Sequence, residues 1–131
     1  MNRTSIIIFV AAVAIGLAIA YWPRGDATVV DVTLPESFSG QAVAGSALFE
    51  ENCQTCHGVN GSGTANGPPL IHKIYEPGHH SDESFHRAVR NGVQAHHWQY
   101  GDMPPVEHVQ PKQVDLVIEY VRELQRANGI N

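Results

Sequence analysis

The residues best suited to chemistry lie in Cys53-Gln54-Thr55-Cys56-His57, which holds both cysteines of the chain. Two thiols three positions apart sit about one helical turn from each other. Both can therefore reach the two vinyl groups of one porphyrin as thioethers, and the following imidazole then lies under the iron. C-x-x-C-H is the attachment spacing of c-type haem. Neutral His57 binds through Nε2, with Nδ1–H held by a carbonyl that fixes the ring. Three other readings fit less well. A redox dithiol needs a strand–helix context that the flanking sequence lacks. A structural zinc site needs two more ligands, and His79 or His80 lies over 20 residues on, which is loose for a zinc finger. A disulfide between positions three apart on a helix has poor geometry. One covalent haem c on Cys53 and Cys56 is the expectation.

The sixth ligand is argued by elimination. Besides Met1, the only methionine is Met103, within Gly101-Asp102-Met103-Pro104-Pro105. A thioether is a soft donor that favours Fe(II), and His/Met ligation raises the potential. The iron ligands expected are thus His57 and Met103, with a histidine as the rival sixth ligand. The chain has eight histidines, among them the doublets His79-His80 and His96-His97, with His72, His86 and His108 besides. A second metal site, for example copper, is one reading of them, and an alternative axial ligand is another. The favoured reading is exposed, weakly charged surface near the haem crevice, because adjacent residues rarely point at one metal together. Trp98 and Tyr100 lie between the second doublet and Met103, and are expected to pack on the haem edge or bond a propionate.

The elements that position these residues read as helices joined by long loops. Ala42, Gly45, Leu48, Phe49 and Cys53 recur at helical spacing from Gln41 onward. Val59 to Pro69 is rich in Gly, Ser, Asn and Pro, and reads as a loop. Ser81 is placed to cap a helix that opens with Asp82-Glu83, pairs Phe85 with Val89, and stops at Gly92. Pro111 opens a last helix with the stripe Val114, Val117, Ile118, Val121 and Leu124, ending at Asn128-Gly129. No strand pattern stands out. A short Val29-Val30-Asp31-Val32 run is at most a minor strand.

Apolar residues are unevenly spread. Of the 17 residues from Ile6 to Trp22, 16 are hydrophobic, and no charge falls between Thr4 and Pro23. The remaining 114 residues hold 40 hydrophobic ones, a small stock for a core that a large apolar cofactor would supplement. At 1.5 Å per residue the apolar run reaches roughly 25 Å, slightly short of a ~30 Å hydrocarbon core. It reads as an uncleaved signal anchor with Arg3 in the cytoplasm and Tyr21-Trp22 at the far interface. A cleaved signal peptide is the rival, since Ala18-Ile19-Ala20 fits an A-x-A site. A buried core helix is disfavoured because the segment has no polar face. The expected organisation is an anchor over residues 1–22, a flexible tether over 23–40 and a haem domain over 41–131. The formal charge of −5 argues against nucleic acid as a partner.

From about Gln41 to Asn131 the chain resembles the monohaem class I cytochrome c family, in a membrane-anchored bacterial form. Cys53, Cys56 and His57 match its haem motif, and Met103-Pro104 resembles its methionine loop. Gly67-Pro68-Pro69-Leu70 resembles its Gly-Pro-x-Leu segment, which implies that the Pro68 carbonyl accepts from the proximal imidazole. Gly45, Phe49 and Tyr120 match residues with which the family's terminal helices interlock. The resemblance implies an all-α fold with three main helices around one covalent haem, and one-electron transfer between larger redox proteins as donor and acceptor. The expected place is the bacterial inner membrane, bound through residues 6–22, with the haem domain facing the periplasm. The chain shows no evident substrate pocket or acid–base pair, so it reads as no enzyme in its own right. A haem-based redox or gas sensor, and a haem subunit of a larger membrane oxidoreductase, are the alternatives.

Overall fold

The computed structural model describes residues 28–131, with Val13 alone before them. The expected membrane segment over 6–22 lies outside the described residues. Among the described residues, no helix is long and apolar enough to cross a membrane. Four helices follow in order: α1 (Gly40–Asn52), α2 (Gln54–His57), α3 (Asp82–Asn91) and α4 (Pro111–Ala127), with 3-10 turns at Val59–Gly61 and Lys73–Tyr75. The described residues form no strand, and two isolated bridges, Thr64 with Gly67 and Val93 with Met103, are found among them. The all-helical expectation is met. The one-turn α2 adds to the three longer helices.

Two of the three long helices begin at a local cap. Ser39 takes an extended conformation, and its hydroxyl accepts from the Ala42 amide at 3.1 Å, which caps α1. The buried residues of α1 are Ala42, Gly45 and Phe49, a single stripe at helical spacing. Pro111 opens α4, and the Gln110 amide donates to Gln113 Oε1 at 2.9 Å, one half of a capping box. All five residues of the expected α4 stripe are buried, with Tyr120, Arg122 and Gln125 added to them. Ser81 stands at the N-cap of α3 but its hydroxyl makes no capping bond, contrary to expectation. The Ser84 hydroxyl donates to the Ser81 carbonyl at 2.6 Å instead.

The core lies where α1 crosses α4. It holds Ala42, Phe49, Leu70, Ile71, Val117, Tyr120, Val121 and Leu124. The crossing is close because residue 45 has no side chain: a Cβ there would overlap the Leu116 carbonyl. Next to that contact the Phe49 and Tyr120 rings pack with centroids 5.6 Å apart, and Phe38 covers the other side of Tyr120 at 5.4 Å. The Tyr120 hydroxyl donates to Asn60 Oδ1 at 2.7 Å, so the same residue reaches the loop after α2.

Residues 28–39, expected as part of a flexible tether, lie against the domain. The Val30 amide donates to the Ser62 carbonyl at 2.9 Å. The Thr33 amide and carbonyl both bond the Asn128 side chain, at 2.9 and 2.8 Å. Val30, Val32 and Phe38 pack on the core, while Val29 and Asp31 are exposed, the alternation of an extended chain without a strand partner. The packed unit therefore includes these residues as well as the expected 41–131.

A second feature the sequence did not announce is a polar knot at α4. Arg122 is buried, and its guanidinium donates to Asp82 Oδ1 at 2.8 Å, the Tyr75 carbonyl at 2.8 Å, the His80 carbonyl at 2.5 Å and Gln125 Oε1 at 2.6 Å. Gln125 Nε2 in turn donates to the Leu70 and Tyr75 carbonyls at 2.9 and 3.1 Å. These bonds tie the 70–80 loop and the start of α3 to α4.

Candidate functional site

Cys53 ends α1 and starts α2. Its carbonyl accepts from the Cys56 amide at 3.2 Å and the His57 amide at 2.9 Å, so the five motif residues form one tight turn. Both cysteines are free thiols, Cys53 half-buried and Cys56 exposed. Burial, with Cys56 adding to it, pushes the Cys53 thiol up to about 11.

The His57 ring is oriented by its backbone surroundings. Nδ1 lies 2.9 Å from the Pro68 carbonyl, so Nδ1–H donates there and Nε2 keeps its lone pair. Burial lowers the imidazole's pKa, against a smaller raising effect of the Pro68 bond. A neutral ring with a free Nε2 is what iron requires. Pro68 reaches this position because the 58–70 loop folds back on α2. Thr64 Oγ1 donates to the Cys56 carbonyl at 2.6 Å and the Gly63 amide to the His57 carbonyl at 2.6 Å. Gly67 passes so near that a Cβ would stand 2.8 Å from the Cys56 carbonyl oxygen. The implied pairing of Pro68 with His57 is present in the structure.

Met103 stands on a separate element. Its amide and carbonyl each bond Val93 at 2.9 Å, which closes the 94–102 loop at its base. Asp102 Oδ1 accepts from the Ala95 amide at 2.9 Å inside that loop, and the Val106 amide donates to the Val89 carbonyl at 2.7 Å. Met103 is thus tied to the residue just after the cap of α3, and the backbone three residues on, at Val106, to α3 itself.

Three observations test whether a haem fits these residues. The donor set is two thiols and one oriented imidazole on a single turn. From Ile74 to Val109, Ile74, Tyr75, Phe85, Val89, Val93, Trp98, Met103 and Val106 are each half-buried, and α3 has no fully buried residue. That much apolar surface suits a large flat apolar partner. The Trp98 Nε1 is buried and bonds no acceptor among the described residues, and such a donor suits an anionic group such as a propionate. The residues fit the cofactor. Trp98 meets His72 edge-on at 5.1 Å. The Tyr100 hydroxyl accepts from the Thr28 amide at 2.7 Å.

Sequence reasoning missed Thr64, Asn60, Arg122 and Gln125 as supports of the site. It favoured exposed surface for the histidine doublets; His79, His96 and His97 are exposed, and the structure also brings His79, His80 and His97 together.

A family model described as cytochrome c matches residues 42–125, a span from α1 to α4 that contains the Cys53–His57 turn, Pro68 and Met103. No curated protein and no solved structure matches the chain. With the match covering most of its length and the proximal histidine already seated on a proline carbonyl, the chain belongs to the cytochrome c family.

Proposed function

We propose that this chain carries single electrons through one haem c, bound covalently by Cys53 and Cys56 and ligated by His57 and Met103. Its family supports a haem-based electron carrier in general. The observation that carries the finer reading is the bond from His57 Nδ1 to the Pro68 carbonyl, within the turn that holds both thiols. When bound, the haem supplies an iron that alternates between Fe(III) and Fe(II).

The chain's own residues do the rest. Each thiol adds across a vinyl group, its sulfur bonding one carbon and its hydrogen going to the other, so no oxidant is needed. His57 offers Nε2 from a ring whose rotation the Pro68 carbonyl opposes. Met103 offers its sulfur from a backbone pinned at both its amide and its carbonyl. Pinned ligands move little when the charge changes by one, which suits electron transfer. The same pinning favours the carrier over a sensor, whose methionine must leave the iron.

The haem domain is proposed to face the periplasm, tethered to the bacterial inner membrane through residues 6–22, with larger redox proteins as donor and acceptor. From Gln41 onward acids outnumber bases by 10 to 6, so docking relies on a basic patch of the partner or on apolar contact at the haem edge. The chain acts as no enzyme in this reading. Absorption spectra of the purified protein in both oxidation states test it. A methionine-to-iron charge-transfer band in the ferric form, with no CO binding by the ferrous form, is expected. CO binding by the untreated ferrous protein would favour the sensor.

A further inference from the structure

His79 and His80 lie in the loop before α3, and His96 and His97 in the loop after it. The structure folds these loops onto each other. The ligand nitrogens of His79, His80 and His97 all lie within 4.8 Å of one another. His79 Nε2 stands 3.4 Å from His97 Nε2. That separation exceeds the ~2.7–3.2 Å usual for a hydrogen bond to nitrogen donors. It matches the roughly 3.3–3.4 Å between two nitrogens that each sit ~2.0–2.1 Å from one tetrahedral ion.

Adjacent residues converge here because the chain turns. The Glu76 carbonyl accepts from both the His79 and the His80 amides, at 3.0 and 2.8 Å. The two rings end 4.7 Å apart, and His97 lies 5.3 Å from one and 5.2 Å from the other. His80 is also oriented as a metal ligand is: its Nδ1 donates to the Ile74 carbonyl at 2.6 Å, which leaves Nε2 free. The His96 ring stacks near His80 at 6.2 Å, with its Nδ1 donating to the Gln94 carbonyl at 2.8 Å.

We propose that His79, His80 and His97 form a site for a divalent late first-row transition metal of the Zn2+ and Cu2+ class, with water or His96 in the fourth position. All-imidazole donors suit these ions, while Ca2+ and Mg2+ require oxygen ligands. Two of the three rings, His80 and His97, are biased toward their neutral form. Partial burial, then neighbouring His79, His96 and Arg122, keep His80 below its ordinary pKa despite the Ile74 bond. Desolvation and repulsion from His96, His80 and His79 do the same for His97. The Arg122 cation next to the site is paired with Asp82. A bound metal would join the loops on either side of α3 and brace the one that leads to Met103. This site is independent of the haem reading, since it uses none of Cys53, Cys56, His57 or Met103.

The test uses the full, haem-loaded chain without a polyhistidine tag, stripped with a chelator and titrated with ZnCl2 by calorimetry near neutral pH. One Zn2+ per chain is expected, with a higher thermal midpoint when it is present. His79→Ala with His97→Ala should weaken binding by roughly tenfold or more. Both side chains are exposed, so the fold should persist, and an unchanged haem spectrum would verify it. His86→Ala with His108→Ala should leave binding intact, because those rings bond Asp115 and Asn52 elsewhere. No stoichiometric binding, or equal affinity in the His79/His97 variant, would overturn the site.

Discussion

In the proposed reading the Pro68 carbonyl and the closed base of the Met103 loop perform the same task at two residues: one restricts the His57 ring and the other the Met103 backbone, each of which would offer a ligand to iron. The account at this scale predicts that Met103→Ala opens the sixth position. The ferric charge-transfer band should vanish, CO should bind the ferrous form, and the potential should fall as Fe(II) loses its soft donor. His96→Ala and His97→Ala should keep the wild-type band. A low-spin spectrum and potential unchanged in Met103→Ala, but lost on changing His79, His80, His96 or His97, would mean bis-histidine ligation. The Cys53–His57 turn was legible because the motif residues are close in sequence and chemically rare, and the Pro68 acceptor through the family resemblance of Gly67-Pro68-Pro69-Leu70. Arg122 was not, because a charged residue within an apolar helical stripe gives no sign of which distant carbonyls will receive it. A metal site was one reading of the histidine doublets, but which rings converge was not legible, since that depends on the turn at Glu76 and on a loop that returns to Val93.

At the scale of elements, the crossing of α1 and α4 and the knot at Arg122 carry most of the fold. Gly45→Val should place branched atoms against the Leu116 carbonyl and force the helices apart, at a cost of about 3 kcal/mol or more. Denaturant unfolding of the haem-loaded variant measures it, and an unshifted midpoint would show that the crossing tolerates a side chain. Arg122→Ala should cost about 3 kcal/mol, because it strands the His80 carbonyl and Gln125 Oε1 and leaves the Tyr75 carbonyl with Gln125 Nε2 alone. Asp82→Asn should cost under about 1 kcal/mol, since Asp82 is exposed. Equal losses in the two variants would move the weight from the buried carbonyls to the ion pair. The α4 stripe was legible through its helical period. The segment over 28–39 was not, because Pro35 and the flanking Gly25 and Gly40 read as a tether while its order comes from contacts such as Thr33 with Asn128, far apart in sequence.

At the scale of the whole molecule, a sparse apolar core, the proposed covalent cofactor and the apolar run over 6–22 are consistent with one plan. The run, unbroken through Tyr21-Trp22, predicts that the protein stays with the membrane after a carbonate wash, and that its mature N-terminus is not Tyr21. N-terminal sequencing checks this, and a start at Tyr21 would make the segment a cleaved signal peptide. The central claim is that both cysteines hold one haem. Its most direct measurement is the intact mass of the protein, expressed with haem-maturation machinery and extracted with acidified acetone, beside the Cys53→Ala, Cys56→Ala double variant. The account predicts that the wild-type chain keeps the added mass of one haem while the variant gives its haem up. A wild-type chain of unmodified mass, with all haem in the acetone, would contradict it.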